Sequence, residues 1–309
     1  MDIFLQQLIN GLVLGSIYAL IALGYTMVYG ILELINFAHG EVVMIGAMVT
    51  LAVVNALLAS GVDLPGIMIV AAGLLVAVAV CMALGFAIER IAYRPLRRAP
   101  RLAPLITAIG VSIVLQNAAM IIWGRSYISF PPILPATRHD IGGAGITGLQ
   151  IFIFLLALAL MAGLVLLVNK TRIGRAMRAT AQAPEIAGLM GVNVNAVISF
   201  TFILGSALAA IAGVMVSAYY GIAHYYMGFL LGLKAFTAAV LGGIGNIAGA
   251  MLGGLLLGVI ESMAAGYIGD LSGGFLGSHY QDVFAFFVLI GVLVFRPSGL
   301  LGERVAERP

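Results

Sequence analysis

Four ionisable side chains stand in stretches that otherwise carry almost no charge: Glu33, His39 and Glu41, which flank Asn36, Phe37 and Gly40, and Lys234, two residues after Gly232. An ionised group at the centre of a membrane helix costs of order 2.5–3.5 kcal/mol, so groups in such surroundings need a partner or a purpose. One reading makes Asn36, His39, Gly40 and Glu41, with Gly232 and Lys234, two irregular or half-helical pieces around a solute pathway, Glu41 or Glu33 being paired to Lys234. The other is snorkelling, in which each side chain reaches the lipid headgroups and touches no solute. Gln116 and Asn117 interrupt another apolar run, where amides need partners on neighbouring helices, and Glu261 either pairs structurally or faces water along a path.

A second group of residues has its own local signals. The segment KTRIGRAMRATAQAPEIAGLMGVNVN, from Lys170 to Asn195, opens with four cations. It is expected to hold a short helix over Ala179 to Leu189: Pro184 suits a first turn, Glu185 favours the positive end, and Gly191 is placed to stop it. A small helix with an Ala-rich face after a basic run is either a knob for a partner's groove or a connector lying on anionic headgroups. Catalytic constellations are lacking: the sequence has no G-x-S-x-G elbow and no H-E-x-x-H pair. Nor does it contain GxxxxGK[ST], so ATP hydrolysis through that loop belongs to another chain.

The elements that must position these residues follow from composition. Of 309 residues 62% are hydrophobic and only 9% charged, and the mean hydropathy is +1.15. A soluble domain carries about 25% charged residues, so this is a chain for the bilayer, and a solution enzyme or nucleic-acid binder is excluded. The lone Cys81 leaves no internal disulfide framework. Since roughly 20 helical residues cross the hydrocarbon, the chain reads as an all-α polytopic membrane protein of about nine transmembrane helices. They cover 5–29, 40–60, 65–89, 103–124, 149–168, 195–219, 226–244, 248–268 and 280–296, and Ile31 to His39 is either an extra short helix or a re-entrant piece. The start lacks a basic n-region and runs straight into a full span, so the first helix is expected to stay.

Arg90, Arg94, Arg97, Arg98 and Arg101 share one loop, Lys170, Arg172, Arg175 and Arg178 another, and Arg296, Arg304 and Arg308 follow the last span. Basic loops face the cytoplasm, which puts the N-terminus outside. The outer segment Arg125 to Gln150 is then a connector or a docking surface, with Arg125, Arg138 and Asp140 available for charged contacts. His139, His224 and His279 fall in or beside outside segments, so they form no metal cluster with His39, and no metal site is expected. LGSIYALIALGYTMVYG from Leu14 resembles LGSALAAIAGVMVSAYYG from Leu204, with Gly15, Gly30 and Gly40 matching Gly205, Gly221 and Gly232. Five spans separate the copies, so they cross in opposite senses, the inverted-repeat plan of many transporters. The chain therefore reads as one transmembrane domain over 1–309, with halves at about 5–168 and 195–296 joined by a cytoplasmic loop at 170–194.

Three motifs carry a family resemblance. RIGRAMRATAQAPEIAGLMGVNV resembles the cytoplasmic loop of ABC importer permeases for branched-chain amino acids. ILELINFAHGEVVMIGA and the terminal FRPSGLL resemble the LivH-type subunit of those systems, and the similarity covers essentially the whole chain. The resemblance implies a permease subunit of the bacterial inner membrane that moves branched-chain or other hydrophobic amino acids inward and uses no cofactor of its own. ATP would be consumed by two cytoplasmic ATPase subunits. A second, LivM-type permease and a periplasmic or extracellular amino-acid-binding protein would complete the assembly. The loop helix would insert into a cleft on the ATPase through Arg175, Arg178, Ala181, Pro184, Glu185, Ala187 and Gly191, although the loop carries only a reduced form of the Glu-Ala-Ala-Gly pattern of other importer permeases. The residues taken alone also suit a self-sufficient secondary transporter or channel for a small solute.

Overall fold

A run of twenty apolar residues in lipid satisfies its own backbone N–H and C=O groups only as a helix. The computed structural model describes residues 2–302 except 62, 98, 101, 135–136, 142, 272, 274 and 276–279. Arg98, Arg101, His279, Arg304 and Arg308 thus lie outside the described residues. Apolar helices occupy each expected position: α1 (Asp2–Leu32), α2 (His39–Ala59), α3 (Gly66–Ala87), α4 (Leu102–Trp123), α5 (Gly148–Lys170), α8 (Val194–Tyr220), α9 (Met227–Gly242), α10 (Ile247–Leu271) and α11 (Gln281–Phe295). Between α5 and α8 lie α6 (Arg172–Gln182) and α7 (Pro184–Leu189). Among the described residues seven helices are long and apolar enough to cross a membrane, whereas Met227–Gly242 and Asp282–Phe295 are shorter. The chain is a polytopic helical membrane protein.

Ile31 to His39 holds no extra helix. α1 runs to Leu32 and ends at Glu33, whose φ of 51° lies in the left-handed region that a side chain disfavours. Asn36 then accepts the Ala38 N–H at 3.2 Å, a local turn that competes with helix and delays the start of α2 to His39. At its other end α3 widens into a π-helical turn, Ile88–Tyr93, and tightens into a 3₁₀ turn, Arg94–Leu96, so the helical path overruns the expected end at residue 89. Two short antiparallel ladders cap loops: β1 (Ile128–Ser129) with β4 (Ile222–Ala223), and β2 (Arg138–Ile141) with β3 (Ala144–Thr147).

The chain divides into two compact units, Met1–Thr26 with Pro135–Met161 and Lys234–Pro309, and Met27–Leu134 with Ala162–Leu233. In the first, glycines bring α1 and α10 into backbone contact: a methyl group at Gly11 would stand 2.7 Å from Val259 Cα, and one at Gly15 would stand 2.8 Å from Leu255 Cα. In the second, α2, α3 and α8 form the core, and Gly46 of α2 leaves no room for a methyl group against Ala210 of α8. Lipid is as apolar as leucine, so helix association here depends on such close packing rather than on expelling water.

Candidate functional site

The first candidate site is the pair α6 and α7. Thr171 caps α6, its hydroxyl accepting the Gly174 N–H at 3.0 Å. Gly174, Met177 and Thr180, three apart, form the buried face, while Arg172, Arg175 and Arg178 stay exposed. The Arg178 guanidinium reaches back to the Val168 carbonyl at the end of α5. Thr171→Ala is expected to cost about 1 kcal/mol of local stability, read as faster amide exchange over residues 172–176; unchanged exchange there would discount the cap.

The single helix expected over Ala179 to Leu189 is instead two. Pro184 disfavours helical backbone at the residue before it, and Ala183 is extended at φ −153°, ψ 84°. Pro184 then opens α7 and Glu185 lies in its first turn, as the residue types suggested. The helix closes at Gly191, whose φ of 86° suits glycine; its N–H bonds Gly188 O at 3.1 Å and the Val192 N–H bonds Ala187 O at 3.0 Å. Ala181, Pro184, Glu185 and Gly191 are exposed, but Ala187 is buried against its own chain at 5% exposure. The outward apolar face belongs to residues not singled out beforehand: Ile186, Leu189 and Met190, exposed at 62%, 88% and 81%. Large apolar side chains inside an otherwise polar loop were the available signal.

The second candidate site brings together Asn36, His39, Gly40, Glu41 and Gly232. A methyl group at Gly40 would stand 2.8 Å from Gly232 Cα and would strike the Gly228 carbonyl oxygen, so α2 begins in backbone contact with α9. Glu41 is 1% exposed; its Oε1 accepts from Gln116 Nε2 at 2.7 Å and Ser112 Oγ at 3.1 Å, both on α4. Its snorkelling alternative is thereby set aside, and Gln116 acquires the helix-crossing role that its place in an apolar span suggested. Asn117 donates within its own helix, to Ile113 O at 2.8 Å.

Lys234, expected to pair with Glu41 or Glu33, finds its carboxylates among the described residues of its own unit. Its Nζ is 2.7 Å from Glu261 Oε1 and 2.8 Å from Asp282 Oδ1. Tyr18 OH also donates to Glu261 Oε1 at 3.2 Å. Glu261, on the periodicity of α10, reaches a lysine that the sequence separates from it by 27 residues.

Sequence patterning passed over a third cluster. Glu89, fully buried at the widened end of α3, accepts from Arg94 Nη2 at 3.1 Å, from Arg97 and from Ser199 Oγ at 2.7 Å. Burial draws the Arg97 guanidinium below its ordinary pKa, an effect that Glu89 opposes. Arg94 and Arg97 are thus not simply headgroup-facing cations. The signal was a lone acid directly before a run of five arginines, at the edge of an apolar span. On the loops expected outside, Arg138 and Asp140 form an exposed pair at 3.8 Å, and His224 stacks on Tyr127 with centroids 4.4 Å apart.

Apolar helices crossing by small residues, buried charges paired with neighbours and one exposed loop between α5 and α8 belong to a polytopic helical membrane protein. The family model for the branched-chain amino acid transport system permease component matches residues 7–293. The chain is 48% identical to the high-affinity branched-chain amino acid transport system permease protein BraD of Pseudomonas aeruginosa, covering 99% of this chain and 98% of that one. It is 45% identical to the permease protein LivH of Escherichia coli K12, with 99% and 97% covered, and 29% identical to a probable LivH of Methanocaldococcus jannaschii, with 97% and 94% covered. The chain belongs to the family of branched-chain amino acid transport permease components.

Proposed function

We propose that this chain is a permease subunit of an ABC importer that carries branched-chain amino acids across the bacterial inner membrane, ATP being hydrolysed by partner subunits. The observation that carries the reading is the apolar tip of α7. Ile186, Leu189 and Met190 project from a six-residue helix held at one end by Pro184 and at the other by the Gly191 turn. Such a knob has little reason to face water and suits a groove on a cytoplasmic partner. Arg175, Arg178, Ala181, Pro184, Glu185 and Gly191 would frame that contact, and Ala187 would hold the helix to its own chain.

Nine crossings and an inverted repeat are part of the same proposal. In support, one unit packs α1 on α10 through Gly15 and Gly258, and the other packs α8 on α3 through Ser206, beside Gly205, and Gly85. Gly15 and Gly205 are the residues the repeat equates, so α8 plays in one unit the part of α1 in the other. Asn36, His39, Gly40, Glu41 and Gly232 would gate the pathway, with Lys234 marking the corresponding place in the second copy. Two ATPases, a second related permease and an external binding protein would complete the complex. ATP binding in the partner would displace α7, and rigid helices would convert that push into one of two discrete packings.

The test is purification of the tagged complex from native membranes. Burying a leucine-sized side chain is worth about 1.5–3 kcal/mol, so Leu189→Asp and Met190→Asp are expected to lower ATPase recovery by about tenfold or more. Substitutions at Glu185 and Gly191 should weaken it as well. If the chain purifies alone and moves leucine in liposomes without ATP, it is a self-sufficient transporter and the reading fails.

A further inference from the structure

The π-helical turn Ile88–Tyr93 has contacts at both ends that the importer function, as stated, does not use. At one end Glu89 binds the Ser199 hydroxyl of α8, and Arg97, held by Glu89, donates from Nη1 to Asn195 Oδ1 at 2.6 Å. Asn195 and Ser199 belong to the first turns of α8, which starts at Val194, only three residues beyond Gly191 at the close of the α7 turn. At the other end Tyr93 OH donates to Asn36 Oδ1 at 3.1 Å and lies 3.4 Å from Ile35 O. Asn36 in turn shapes the turn that opens α2, through the Ala38 N–H.

The π turn makes this double reach possible. The Arg94 N–H bonds the Glu89 carbonyl five residues back. In an α-helix residues five apart diverge by about 140°; the wider turn swings Arg94 and Arg97 back over Glu89 and leaves Tyr93 aimed at Asn36. π-turns cost stability and recur where a helix has work beyond spanning. Tyr93 is 1% exposed and its ring packs on Phe202 of α8 at 5.2 Å, so the turn cannot yield at one end without shifting at the other.

We infer that Ile88–Tyr93 is a positioning relay, in which Asn195, Arg97, Glu89 and Tyr93 pass a displacement of the coupling loop to Asn36 and the start of α2. The inference rests on the importer reading. In this role these residues act through their contacts with one another, and they set when the second candidate site changes its packing.

The experiment uses the full complex in proteoliposomes and measures radiolabelled leucine moved per ATP hydrolysed, for wild type, Tyr93→Phe, Asn195→Ala and the double variant. Each single variant is expected to assemble with the ATPases yet lower the ratio about fivefold, within the range of relay substitutions. The double variant should fall no further than the worse single one, because both interrupt the same chain of contacts. Unchanged ratios, or losses that multiply, overturn the relay. Should Tyr93→Phe not assemble, Glu89→Gln takes its place, and loss of assembly in both assigns the turn to folding alone and also overturns it. Leucine transport by the wild type without ATP would instead defeat the importer reading.

Discussion

Replacing Lys234 by methionine is expected to destabilise the protein by about 3–5 kcal/mol, the usual cost of removing one partner from a buried ion pair. Lys234 stands between Glu261, whose side chain is 2% exposed, and Asp282, at 38%. Without the ammonium, Asp282 can turn toward water, but Glu261 on α10 cannot. The Tyr18 hydroxyl that donates to Glu261 Oε1 at 3.2 Å is neutral and does not offset a buried carboxylate. The double variant Lys234→Met with Glu261→Gln removes the orphaned charge and should recover most of the loss, because well-packed neutral groups often replace buried ion pairs at little cost. Survival of monodisperse protein after heating in detergent reads both. A single variant as stable as wild type, or a double variant no better than the single, would show that the pair carries little of the fold.

The second large effect concerns α2 against α8. Gly46→Leu is expected to abolish folded yield, at a cost of about 3 kcal/mol or more. A methyl group at Gly46 would already stand 2.6 Å from Ala210 Cα and 3.0 Å from its carbonyl oxygen, and backbone cannot step aside as a flexible side chain does. Gly213, on the α8 side of the same contact, is as confined, facing the Val43 carbonyl and the Ala47 N–H. Gly110 on α4 is the control, since nothing lies within 4 Å of the position its Cβ would take. Gly110→Ala should be neutral, or more stable by up to about 1 kcal/mol from helix propensity. Wild-type yield and thermal survival in Gly46→Leu would show that α2 and α8 can separate without loss. That result would remove the close-packing account of this core.

Membrane insertion depends on length, hydropathy and the side on which cations fall, all of which are properties of the chain read in one dimension. For that reason the apolar helices were legible segment by segment, as were the loop between α5 and α8, Pro184 at the start of α7 and Gly191 at its close. The break at Ala183 was also within reach, because proline restricts its predecessor whatever the fold. Partnership was not, since it depends on which helices touch. Lys234 pairs with Glu261 and Asp282 because α10 and α11 supply those two carboxylates within its own unit. Glu41 instead meets Gln116 and Ser112, 75 and 71 residues away. Ala187 faces inward and Leu189 outward because α7 rests on α8, a choice that the weak periodicity of six residues could not express. Local rules therefore determined which segments are helices, whereas tertiary packing alone decided which charge neutralises which and which face of α7 is left exposed.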